Sequence, residues 1–147
     1  MRATYRRLVV ALAAGAACGA CRTAHSAPAV PVREVVSGCA GGITGGGGGA
    51  ALLPNGTLYR WTRDRAGADD RRTLVRTDTA LAADVFGRLA SMRFLGITHH
   101  EPGNMTCFVR ARTDSGAHEV SWPSSDTRAP RAVRDLFQRL QTAAGGA

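Results

Sequence analysis

Lysine is missing from this 147-residue chain, so all 19 of its basic side chains are arginines, set against 11 acidic ones. Aromatic residues are scarce as well, at 5%. A nucleic-acid surface needs cations clustered with stacking aromatics, and here the cations are dispersed. Arg71 and Arg72 directly follow Asp69 and Asp70, while Arg131, Arg134 and Arg139 share a segment with Asp135. Such charges belong to solvated faces, and no nucleic-acid partner is expected. Long apolar runs are absent too. The stretch from Leu8 to Ala17 has ten residues, about half of the roughly 20 that a membrane-spanning helix requires. Signatures of catalysis fail in turn. No Gly-x-Ser-x-Gly elbow lifts a serine, Ser121 included, into an oxyanion site, and adjacent carboxylates occur only as Asp69-Asp70. Neither Cys39 nor Cys107 has a cysteine two to four residues away, the spacing of zinc sites. His99-His100-Glu101 offers ligand types, but adjacent residues point in different directions and the helical His-Glu-His spacing is missing. The cluster reads as a solvated loop before Pro102-Gly103. No reaction can be written from these residues: no catalytic residue, metal or cofactor is expected, and the chain reads as a non-enzyme.

What is present begins with an address. Arg2, Arg6 and Arg7 precede the apolar run, and small residues lead directly into Cys18. A positive stretch, a short apolar stretch and a small-residue exit form a secretory signal over residues 1–17. Because the exit residue is a cysteine, the segment resembles a bacterial lipoprotein signal, with Cys18 the acylated residue and Cys21 the second choice. Ordinary cleavage near Ala27 or Ala29 with release, and an uncleaved anchor, are the alternatives. Residues 18–31, with Pro28 and Pro31 among alanines, read as a flexible tether. Loss of residues 1–17 removes three arginines and no acid, leaving 16 against 11 and a net charge of +5. With Cys18 acylated and Cys21 in the tether, Cys39 and Cys107 are the pair left in the folded region. In an oxidising compartment an isolated pair reads as a disulfide.

Residues 32–143 are expected to form one α+β domain, with a tail at 144–147. A first strand starts at Val32, its regular part ending at Ser37-Gly38. Gly41 to Gly49 then holds seven glycines in nine residues. A phosphate cradle needs a Lys-Ser/Thr pair or a helix start behind it, whereas Ala50 to Leu53 follow here; a mobile loop and a strand pair with close backbone approach both remain open. Pro54-Asn55-Gly56 is a turn, leading into Thr57–Arg63, where Leu58, Arg60 and Thr62 alternate with Tyr59 and Trp61. After the charged loop 64–70 and a short extended piece at Thr73-Leu74-Val75, Asp78 or Thr79 caps a helix. Leu81, Val85 and Leu89 form its apolar stripe, widened by Phe86 and Met92, with Asp84 and Arg88 as an i,i+4 pair. Met105–Arg112 and Ala117–Trp122 flank Asp114-Ser115-Gly116 as a hairpin. Cys107, Val109 and Ala111 share a face, and so do His118, a half-buried histidine, Val120 and Trp122. Pro130, Val133, Leu136, Phe137 and Leu140 mark a closing helix. The sum is a small antiparallel sheet of four to five strands with two helices packed on one face.

Ser37-Gly38-Cys39-Ala40-Gly41-Gly42-Ile43, the block Glu101-Pro102-Gly103-Asn104-Met105-Thr106, the block His118-Glu119-Val120-Ser121-Trp122-Pro123 and the closing helix resemble, in order and spacing, the emfourin-like family of small bacterial proteins. The likeness covers about residues 32–142, with Cys39 where a second glycine is usual. The resemblance implies steric inhibition of a secreted thermolysin-like metalloprotease; the chain itself is expected to be a monomer. Bare backbone can follow a cleft that side chains would obstruct, which makes Gly38, Gly41, Gly42, Ile43, Thr44 and Gly45 the expected partner-binding residues. An envelope-associated binding lipoprotein is the rival reading.

Overall fold

The computed structural model describes residues 30–145. The signal segment, the candidate lipidation residues Cys18 and Cys21, and the tether up to residue 29 lie outside them. The chain folds as β1 (Val32–Gly41), β2 (Gly46–Leu52), β3 (Thr57–Arg63), β4 (Arg71–Thr77), α1 (Thr79–Ser91), a short 3-10 turn (Phe94–Gly96), β5 (Met105–Thr113), β6 (Gly116–Pro123) and α2 (Arg131–Ala143). The strands form one antiparallel sheet in the order β4-β3-β2-β1-β5-β6. This is the expected α+β class, but with six strands in place of four to five.

The undercount has two sources. The glycine run is the strand β2 itself, and β1 continues through Ser37-Gly38 to Gly41, pairing Gly38 with Gly49 and Gly41 with Gly46. Glycines carry no alternation to read. The piece around Leu74 is a full seven-residue edge strand whose every residue is exposed. With both of its faces in water, no buried period is imposed on it.

Elsewhere local chemistry sets the elements as expected. The Asp78 side chain caps α1 by accepting from the Leu81 N–H at 2.9 Å. Asn55 Oδ1 accepts from the Thr57 N–H at 3.0 Å, closing the β2–β3 turn, with Gly56 at φ +88°. A large buried cluster joins Leu81, Val85 and Leu89 of α1 and Val133, Leu136 and Leu140 of α2 to the sheet residues Val35, Leu52, Leu58, Val109, Val120 and Trp122. A smaller one holds Val36, Ala51, Trp61 and Phe108, with Tyr59 packed against it. Successive strand residues point to opposite faces, so Val35 and Val36 assign the two clusters to the two sides of the sheet. The smaller cluster is roofed by ion-paired arginines. Arg63 lies 5.9 Å from the Trp61 ring and bonds Asp70 at 2.8 Å; Arg110 lies 5.0 Å from the Phe108 ring and bonds Glu119 at 2.7 Å. Glu34, buried, takes Arg72 and Arg112.

Candidate functional site

Gly38 of β1 leaves room for the Trp61 ring, and the glycines of β2 let the backbone of the neighbouring strands come close. The Trp61 ring packs against Gly38, where an added Cβ would stand 2.3 Å from Trp61 Cζ2, and its indole N–H donates to the Ser37 carbonyl at 2.9 Å. A Cβ on Gly49 would stand 2.0 Å from the Ser37 carbonyl oxygen, and one on Gly47 2.6 Å from that of Cys39. The strand-pair alternative is therefore the one found, and Gly38 is buried, with a packing role and no open surface to offer a partner. A disulfide joins Cys39 to Cys107. The two residues are direct partners in the β1–β5 ladder, so the bond locks the sheet two residues before the strand ends.

Beyond that lock, the remaining expected contact residues gather at one end of the sheet. β1, β3 and β6 end there and β2, β4 and β5 begin there, so the 42–45 turn, the 64–70 loop, the 97–104 loop and the 124–129 loop are neighbours. The turn is braced on both sides. The Gly42 N–H donates to Asn104 O at 2.6 Å and the Ala66 N–H to Thr44 O at 2.9 Å; the Gly45 N–H closes the turn on Gly42 O at 3.2 Å. Gly42 and Gly45 adopt φ of +70° and +66°, a region that costs glycine little and other residues more. Thr44 Oγ1 accepts from the Gly46 N–H at 3.3 Å. At the crest, Ile43 points wholly into solvent.

The outer loops are tied by charge. Arg128 bonds Glu101 at 2.9 Å and Asp126 at 2.8 Å, joining the loop before β5 to the loop after β6. The Arg128 guanidinium and then its backbone N–H hold the Asp126 carboxyl below the usual carboxylate range, at about 2. His99-His100-Glu101 is more ordered than a solvated loop. The Ser121 N–H donates to His99 O and the Glu101 N–H to Ser121 O, both at 3.0 Å, so the segment covers the free edge of β6. The Ser121 hydroxyl and His100 Nδ1 are 2.6 Å apart, and Ser121 is fully buried. His118 is half-buried, with Nε2 3.0 Å from Ile97 O and the ring edge-on to Phe94. No group of three metal-ligating side chains occurs among the described residues, and no helix among them is long and apolar enough to cross a membrane. Of two cavities among the described residues, one of about 500 Å³ is lined by Arg76, Asp78 and Arg139, whose charges are paired, Arg139 with Asp84 at 2.5 Å. The other, about 420 Å³, is an apolar groove beside Val30, Phe86 and Leu95. Neither brings a nucleophile to a base.

Comparison of the chain with protein-family models, with curated proteins and with solved structures returns no match. The description of the site therefore rests on its own geometry: a braced, glycine-edged turn at a crosslinked end of a sheet.

Proposed function

We propose that the protein is an exported, non-enzymatic binding domain, held at the cell envelope by a lipid on Cys18, that blocks secreted thermolysin-like metalloproteases sterically. The observation that carries this reading is the turn at residues 42–45, fixed from two sides and locked from behind by the Cys39–Cys107 disulfide. A preorganised turn loses little entropy on docking, and narrow glycine-edged backbone can enter a cleft. The emfourin-like order of segments supplies the class of partner. In this reading both helices cover the sheet face that carries Val35, and their shared buried cluster with it supports that arrangement. The loop end is then the surface left for a partner, engaged by a monomer without a cofactor.

The test is titration of the mature protein against several thermolysin-like proteases. Saturable inhibition without consumption of the protein is expected, and added zinc should not restore activity because steric blockade leaves the catalytic metal in place. In parallel, Cys18→Ser should shift the protein from the membrane fraction to the soluble one. Absence of inhibition at micromolar concentration would leave the envelope-binding lipoprotein as the reading. A mature N-terminus beyond Cys21 would remove the lipid anchor.

A further inference from the structure

Ile43 has a relative exposure of 106%, while the next most exposed large hydrophobic among the described residues, Leu74, has 59%. The side chain stands clear of the chain around it, on a backbone that is itself held in place. The Gly42 and Thr44 ties to Asn104 and Ala66 fix the turn on either side of Ile43. The flanking glycines cannot be replaced without penalty, since a Cβ on Gly41 would stand 2.2 Å from Asn104 O and one on Gly45 2.6 Å from Ala66 Cβ. The half-exposed Met105 lies beside the turn, its Cε 3.7 Å from where a Cβ on Gly42 would be. Around these two stand polar or charged exposed residues, Thr44, Arg65 and Asn104. One projecting apolar side chain inside a polar rim is the arrangement of a binding hot spot.

We infer that Ile43 is the anchor of the interface, filling an apolar side-chain pocket in the substrate cleft of the metalloprotease while Met105 packs at the rim of that pocket. The inference rests on the inhibitor reading above and names the residue that sets its affinity. It also explains how the turn survives in a protease. Cleavage requires a substrate strand extended across the cleft, and φ of +70° and +66° at Gly42 and Gly45 keeps this backbone bent. Extending it would break the bonds to Asn104 and Ala66. The anchor therefore enters the pocket while the neighbouring peptide bonds stay out of line for attack.

The experiment compares the full mature protein with its Ile43→Asp, Ile43→Leu and Met105→Ala variants as inhibitors of a thermolysin-like protease acting on a small chromogenic peptide. Ile43→Asp should raise the inhibition constant roughly 10- to 100-fold, the value of burying one aliphatic side chain. Ile43→Leu should retain most of the affinity, and Met105→Ala should lose less than Ile43→Asp. Because Ile43 makes no buried contact, every Ile43 variant should unfold at the parent temperature, which separates lost binding from lost folding. The bonds on either side of Ile43 should stay intact through prolonged incubation. Inhibition by the parent with an unchanged constant for Ile43→Asp would overturn the anchor and leave the inhibitor reading standing. Cleavage beside Ile43 with loss of inhibition would make the turn a substrate and overturn the anchor. No inhibition by the parent would remove both.

Discussion

At Gly38 and Gly49 a hydrogen stands where any side chain would collide with the Trp61 ring or with the neighbouring strand. Gly38→Val should destabilise the domain by about 3 kcal/mol, the upper part of the usual range for overpacking, and should shift Trp61 fluorescence, because the ring must leave its seat. Gly87, in the middle of α1, has open space at its Cβ position, so Gly87→Ala should stabilise by about 0.5 to 1 kcal/mol. Urea unfolding of the two variants checks both. Among the site residues, Cys39 and Cys107 were legible as a pair from parity, compartment and the extended context of both. The sequence placed Gly38 with the contact residues because a run of glycines looks alike whether it serves a partner or an indole. The partner of Gly38, Trp61, is 23 positions away, a contact no local pattern records. The ordering of His99-His100-Glu101 against β6 was hidden for a similar reason: its backbone bonds go to Ser121, far along the chain.

The elements that could be read were those with one wet and one dry face. The stripe Leu81, Val85, Leu89 and the alternation Cys107, Val109, Ala111 each report a single buried side, and α1, β5 and β6 fall close to where those patterns put them. β2 has too few side chains to alternate and β4 has no buried side, which is why the sheet is wider than the pattern suggested. Loops show a second kind of signal, ion pairing, with a dependence on pH. Asp126 is held at about 2 against an ordinary value of 3.8, first by side-chain hydrogen bonds from Arg128. A carboxyl whose folded value is depressed contributes stability above its unfolded value and loses it as pH falls through the folded one. Asp78 and Asp84 are lowered too, by the Leu81 N–H and by Arg88 first, respectively. Urea midpoints should therefore fall between pH 3.8 and about 2, and Asp126→Asn should flatten part of that fall. A midpoint constant across this window would remove the Arg128 tie from the account.

For the molecule as a whole, the bond between Cys39 and Cys107 closes a loop with a sequence separation of 68. In the chain-entropy account such a closure stabilises by about 4 kcal/mol. Reduction should lower the unfolding temperature of the whole domain in one cooperative step, since the bond joins β1 and β5 near the middle of the sheet. Denatured, unreduced protein should show no titratable thiol from Cys39 or Cys107. The bond also ties the core to the loop end, so the part of the molecule proposed to meet a partner inherits the rigidity of the part that folds. Hydrogen exchange of the protein, alone and in complex with an inactivated thermolysin-like protease, addresses that connection directly. The account predicts added protection in the 42–45 turn and in the 64–70 and 97–104 loops that brace it, with the exposed edge strand β4 unchanged. A complex that protects β4 or the helices and leaves the turn exchanging as in the free protein would contradict it.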